Sequence, residues 1–191
     1  MKIITKLIIS LIFLFYPLCI YLGIKEEADS LPLIVIVISL FLLRAIVFRG
    51  SKSPLGPALN YAGLVSIIII IIGAGIKEYG VMKIYPVSVS FSLFIVFILS
   101  LMKNHTPVIE TIARLHEKNL SDAAISYTRK VTIVWSIFFL VNGGLSIYTY
   151  FFSEIEIWTL YNGLISYLLI GLLFSIEYLI RRRIQKRGSS T

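Results

Sequence analysis

Six apolar stretches, each close to twenty residues long, leave this chain few ways to fold. They run from Ile3 to about Ile24, Leu31 to about Phe48, Ala58 to Ile76, Ile84 to Met102, Val131 to Phe152 and Ile157 to Ile180. About twenty apolar residues make a helix that crosses the ~30 Å hydrocarbon core of a bilayer. The third stretch includes six consecutive isoleucines, Ile67 to Ile72, a residue that in water favours strands. The stretches are nevertheless too long for strands and lack the alternation of a half-buried one. In hydrocarbon, moreover, a helix satisfies all of its own backbone N–H and C=O groups. The expected fold is therefore all-α: a polytopic membrane protein with a single bundle of six transmembrane helices. The remaining segments are a loop at 103–130 and a basic tail at 181–191.

Composition excludes the soluble alternatives. The chain is 58% hydrophobic and 15% charged, with a mean hydropathy of +0.91. Soluble domains sit near 45–50% apolar and about 25% charged. The net charge of +8 is then a topology signal rather than a nucleic-acid footprint. With alternating sides, 15 of the 18 lysines and arginines fall on one side: Lys2, Lys6, Arg44, Arg49, Lys52, Lys103, Arg114, Lys118, Arg129, Lys130, Arg181, Arg182, Arg183, Lys186 and Arg187. The other side holds Lys25, Lys77 and Lys83 with Glu26, Glu27, Asp29, Glu78, Glu154 and Glu156. The positive-inside rule then puts both termini in the cytoplasm and leaves the basic tail next to anionic lipid head groups. Lys2 and Lys6 precede an apolar run with no small-residue cleavage site, so the first stretch is expected to stay as a span rather than leave as a signal peptide.

The 103–130 loop is the one sizeable polar segment. Thr106-Pro107 reads as a helix start, with Thr106 as N-cap. Ile109, Ile112 and Ala113 share one face, which suggests a short amphipathic helix lying on the membrane surface. Ser121 is expected to cap a second helix running through Tyr127 and Arg129-Lys130 into the fifth span. Within the spans, Asn142 and Ser146 on the fifth and Asn162 and Ser166 on the sixth need hydrogen-bond partners in lipid. They either glue helices together or line a polar path. Gly163, Ser166, Gly171 and Ser175 form a small-residue stripe on the sixth span. Glu177 is placed for an i,i+4 pair with Arg181. Trp158, Tyr161, Tyr167, Tyr148 and Tyr150 fit an outer aromatic belt.

Catalytic signatures are absent. Cys19 is the single thiol, so no intrachain disulfide or cysteine-rich metal site forms. His105 and His116 lie in the polar loop, and no metalloprotease or Ser/His/Asp pattern occurs. No cofactor or metal is expected. A membrane transferase would need a pair such as Glu110 with His105 or His116. No Asp, Glu, Lys or His sits at the centre of any span, which disfavours an ion-coupled transporter.

The C-terminal half carries a family pattern. It comprises Val81-Met82-Lys83-Ile84-Tyr85-Pro86-Val87, Ser100-Leu101-Met102-Lys103, Thr106-Pro107-Val108-Ile109-Glu110, Ala113-Arg114, Tyr127 to Phe139, and Trp158-Thr159-Leu160-Tyr161-Asn162-Gly163. It resembles an uncharacterised bacterial integral membrane family found in fatty-acid-synthase-like gene clusters, including those for aryl polyenes. More distantly, it is similar to the intracellular septation protein A family. The shared elements there are Lys103 with Thr106-Pro107 and Ile109, and Trp135 with Phe138-Phe139; the lysine-to-proline spacing is one residue longer here. The resemblance implies an inner-membrane role in the cell envelope of a Gram-negative bacterium and carries no catalytic residues. It also implies a cytoplasmic functional face of Lys103, Pro107, Glu110, Arg114, Arg129 and Lys130. The function expected is a non-catalytic accessory or scaffold protein in envelope lipid or polyene biogenesis or in septation-related envelope maintenance. Its partners would be membrane lipids and a cytosolic enzyme or acyl carrier. The alternative is a lipid-linked transporter or flippase acting as a homo-oligomer, with Asn142, Ser146, Asn162 and Ser166 as its lining.

Overall fold

The computed structural model describes residues 16–25, 83–115, 117 and 119–188, with isolated helical positions at 64, 65, 68 and 72. All regular structure among them is helical: α1 (Tyr16–Lys25), α2 (Tyr85–Ser100), α3 (Val108–Arg114), α4 (Asp122–Phe152), α5 (Ile155–Leu160), a π-helical turn (Tyr161–Ile165) and α6 (Ser166–Gly188). Most of the first expected span, and nearly all of the second and third, fall outside the described residues, as do His116 and Lys118.

Helix α4 is the spine. It is 31 residues long, or about 46 Å at 1.5 Å per residue. Ser121 starts it as the sequence predicts: its backbone is extended and its Oγ accepts the Ala124 N–H at 3.3 Å. The inward face of α4 carries Thr128, Thr132, Trp135, Phe139, Asn142, Ser146 and Thr149, all buried. These positions alternate in steps of four and three, the 3.5-residue period of helices packed at shallow angles. The polarity of this stripe is the reverse of a helix in water. Thr132 and Ser146 are 0% exposed, whereas Ile137 and Val141 are 56% and 54% exposed. Small polar residues inside and large aliphatic residues outside is the arrangement that lipid favours.

Helix α2 runs antiparallel to α4. Ser90 meets Asn142, Phe97 stacks edge-on to Phe139 at 5.2 Å between ring centroids, and Leu101 receives a bond from Arg129. Pro86 sits in its first turn, where a missing N–H costs nothing. Past its end Asn104 takes φ 71°, a left-handed conformation that asparagine tolerates. Phe97, Val108, Val131, Trp135 and Phe139 form the apolar cluster at this end of the bundle.

After Phe152 the chain reverses through Ser153 and returns antiparallel to α4, with Asn162 against Ser146, Phe174 against Trp135 and Glu177 against Tyr127. Helices Asp122–Phe152 and Ile155–Arg182 are both long and apolar enough to cross a membrane. Of the second one's most apolar stretch only 6% is buried. The expected limits 84–102 and 131–152 compare with α2 at Tyr85–Ser100 and with an α4 that begins earlier, at Asp122, and stops at Phe152 as expected.

Candidate functional site

Two features stand out on this scaffold: a buried polar chain in the middle and a basic plate at one end. The polar chain begins on α2, where Ser90 Oγ accepts from Asn142 Nδ2 at 3.0 Å. Asn142 Oδ1 accepts from the Tyr161 hydroxyl at 3.0 Å. Ser146 Oγ lies 2.9 Å from the Asn142 carbonyl and 2.8 Å from Asn162 Oδ1. Asn162 Nδ2 in turn donates to the Trp158 carbonyl at 3.0 Å and to Thr149 Oγ1 at 3.3 Å. Every amide group of the two asparagines is thereby engaged. Ser166 is buried one turn further along, but among the described residues its hydroxyl joins none of these bonds. Asn142, Ser146 and Asn162 therefore come together, in bonds that reach α2, α4, α5 and the π-helical turn.

The π-helical turn positions Asn162. An i→i+5 turn shifts the register of the helix and rotates the following face. It aims both Tyr161 and Asn162 inward toward α4; the two are 9% and 3% exposed. Gly163 permits α1 to approach there, since a Cβ on it would lie 3.3 Å from Pro17 Cβ. This overturns part of the expected aromatic belt. Trp158 is fully buried and Tyr161 is buried; only Tyr148 of that set is strongly exposed. The Trp158 indole N–H and the Thr159 hydroxyl are the two buried side-chain polar groups without a partner among the described residues. The small-residue stripe also fails to pack as a unit: Gly163 and Ser166 are covered, while Gly171 and Ser175 face outward.

Removing the Asn142 amide should destabilise the bundle modestly. Interhelical hydrogen bonds in membranes are worth about 0.6 kcal/mol on average and about 1.7 at most, and Asn142 makes two. Asn142→Ala is expected to cost about 1–2 kcal/mol in a denaturant titration of the micelle-embedded protein. A double-mutant cycle with Tyr161→Phe should return a coupling of about 0.6 kcal/mol; zero coupling would remove the bond from the network.

The basic plate combines Arg114 on α3 with Lys103 in the turn before it and Arg129 and Lys130 on α4. Helix α3 starts at Val108, and Pro107, not Thr106, holds the N-cap position. Its first N–H groups are capped from neighbouring helices: Val108 N–H by Ser100 Oγ at 3.2 Å and Ile109 N–H by Thr132 Oγ1 at 3.4 Å. The expected surface-lying face is used for packing. Val108 belongs to the apolar cluster, and Ile109 and Ile112 lie against it. Glu110 is 7% exposed, and one of its oxygens accepts from Arg114 Nε and Nη2 at 2.9 and 2.7 Å. Of the six residues expected on the functional face, Pro107 and Glu110 are buried and Lys103, Arg114, Arg129 and Lys130 are exposed. Arg129 also has a structural task, donating to the Leu101 carbonyl at the end of α2 at 2.8 Å. Arg181, paired with Glu177 at 3.6 Å as the i,i+4 spacing predicts, lies at the same end. The opposite end carries Lys25, 3.9 Å from Glu156, and Lys83 beside the Tyr150 and Trp158 rings. Partial burial pushes the Lys83 ammonium below the ordinary lysine range.

His105 is exposed in the turn, whereas Glu110 is buried and committed to Arg114. Among the described residues no three His, Cys, Asp or Glu side chains gather as metal ligands would. No protein-family model, no curated protein and no solved structure matches this chain.

Proposed function

We propose that this protein is a non-catalytic scaffold of the bacterial inner membrane, with six spans and both termini in the cytoplasm, acting in envelope lipid or polyene assembly. The family resemblance of the C-terminal half motivates the biological setting. The observation that carries the scaffold reading is the division of labour among polar groups. The asparagine amides inside the bundle are fully bonded to neighbouring groups, while Lys103, Arg114 and Lys130 are exposed at the end where α3 docks, capped by Ser100 and Thr132. Such a plate offers a fixed cationic surface to an acidic partner such as an acyl carrier or a cytosolic enzyme. The charge difference between the two ends of the described bundle supports the cytoplasmic placement of that plate.

A photo-crosslinker at Lys103 in native membranes should capture a cytosolic protein. With the crosslinker moved to His105, exposed in the same turn, the pair Lys103→Glu and Lys130→Glu should abolish that capture with the fold intact. Unchanged capture would remove the scaffold reading. Arg129 and Arg114 are unsuitable for this test, because reversing either strands a structural acceptor: the Leu101 carbonyl or the buried Glu110 carboxylate. The second reading, a lipid-linked transporter or flippase acting as a homo-oligomer, draws on a groove beside Asn142. It asks Asn142, Ser146, Asn162 and Ser166 to line a path, while the Asn142 amide is already bonded to Ser90 and Tyr161 and the Asn162 amide to Ser146, Trp158 and Thr149.

A further inference from the structure

The returning helix leaves a continuous apolar groove along α4. Two cavities, of about 160 and 380 Å³, share Val134, Leu173 and Ile176 as walls and so adjoin end to end. The smaller opens at the basic end, beside Lys130 and Glu177. The larger ends at Asn142, Leu145 and Tyr161. From Lys130 to Leu145 is fifteen residues of helix, about 22 Å. A bilayer of about 40–45 Å including its head groups gives about the same distance from head-group level to midplane. The walls offer almost nothing but hydrocarbon, because the polar atoms of Asn142 and Tyr161 at the far end are bonded to each other.

From this geometry we infer that the groove holds one acyl chain of an anionic phospholipid, whose phosphate is met by Lys130. The inference rests on the membrane reading above. Lys130 is exposed at the groove mouth. The one carboxylate there, Glu177, is held by Arg181 at 3.6 Å, so the mouth keeps a net positive charge. The Tyr127 hydroxyl, donating to the Glu177 carbonyl at 3.2 Å, ties α4 to α6 at this end. Neutral lipids would enter the same hydrocarbon walls but lose the ionic contact. One lysine near a head group is worth about a fivefold preference.

Trp135 lines the smaller cavity and is one of only two tryptophans in the chain, so it reports occupancy. In the full-length Trp158→Phe protein, Trp135 fluorescence is followed in phosphatidylcholine vesicles doped with brominated-chain phosphatidylglycerol or brominated-chain phosphatidylcholine. Quenching by the anionic lipid should saturate at a mole fraction about fivefold lower than for the zwitterionic one. Lys130→Gln should erase that ratio, and Val134→Phe, which fills the groove, should remove the saturable phase. Quenching that rises linearly and equally for both lipids means ordinary boundary lipid and overturns the site. So does unquenched Trp135 alongside chain-to-chain crosslinking through α6, which means a second copy covers the groove. A tryptophan reporter made by Leu140→Trp, outside the groove on the exposed face of α4, must be quenched by either lipid. If it is not, the membrane reading fails first and the groove assignment falls with it.

Discussion

Leucine at Gly143 should separate α2 from α4, while leucine at the adjacent Gly144 should leave the bundle intact. A Cβ built on Gly143 already sits 2.9 Å from Phe91 Cε2 and 3.3 Å from Ser90 Cβ. At Gly144 nothing lies within 4 Å. Two of the three nearest atoms belong to the far end of the Phe91 side chain, so Gly143→Ala should cost less than leucine. A branched side chain pushes the helices apart, breaks the Asn142–Ser90 bond and loosens the Phe97–Phe139 contact below it. Overpacking of this kind costs about 3 kcal/mol at the upper end of its usual range. Gly144→Ala should be neutral to stabilising by up to about 1 kcal/mol, because alanine is the better helix former. Thermal unfolding in detergent compares the four variants directly. Equal effects of leucine at the two glycines would show that α2 does not pack where the structure has it.

Trp135→Ala should be the most damaging truncation at the basic end. The indole is 3% exposed and touches the rings of Phe138, Phe139 and Phe174 at centroid distances of 5.7, 5.5 and 4.5 Å. It therefore joins α4 to α6 and supports the cluster under α3. Truncating a buried tryptophan costs about 3–5 kcal/mol in water-soluble cores. In lipid the transfer contribution is largely lost and packing remains, which puts the expectation near 3 kcal/mol. The loss should reach α3: a label at Thr111 should gain mobility in the Trp135→Ala variant. A stable protein with α3 still fixed would mean the plate is held by its polar caps alone.

Among the described residues the helices over 84–102 and 131–180 are legible in the sequence, because runs of this length and apolarity exceed what a strand can use. The start of α4 was legible because Ser121 followed by Asp122 is a local capping signal. Facing was harder. In water an apolar stripe marks the inside, but every surface of a membrane helix is apolar and hydropathy does not point. The usable signal was the small polar period from Thr128 to Thr149, of which only Asn142 and Ser146 were read. Ser90, the partner of Asn142 on α2, looks like any serine in Val87-Ser88-Val89-Ser90. The π turn was hidden for a different reason: it depends on Asn162 finding Ser146 and Thr149, contacts that no local window contains. Tyr161 and Trp158 suit an interface by composition, yet Tyr161 turns inward at the π turn and Trp158 is buried on α5 before it. The caps of α3 come from Ser100 and Thr132, 8 and 23 residues from the N–H groups they serve, so Thr106 was the natural but mistaken choice.

The reversed polarity of α4 is open to direct measurement. Nitroxide labels placed singly at Ile133, Ile137 and Leu140, in lipid vesicles, report collision with dissolved oxygen and with a water-soluble nickel chelate. A lipid-facing surface gives high oxygen and low nickel accessibility at all three, with the opposite at Lys103. Strong nickel collision at Ile137 and Leu140 would put that face in water and contradict the membrane-spanning bundle.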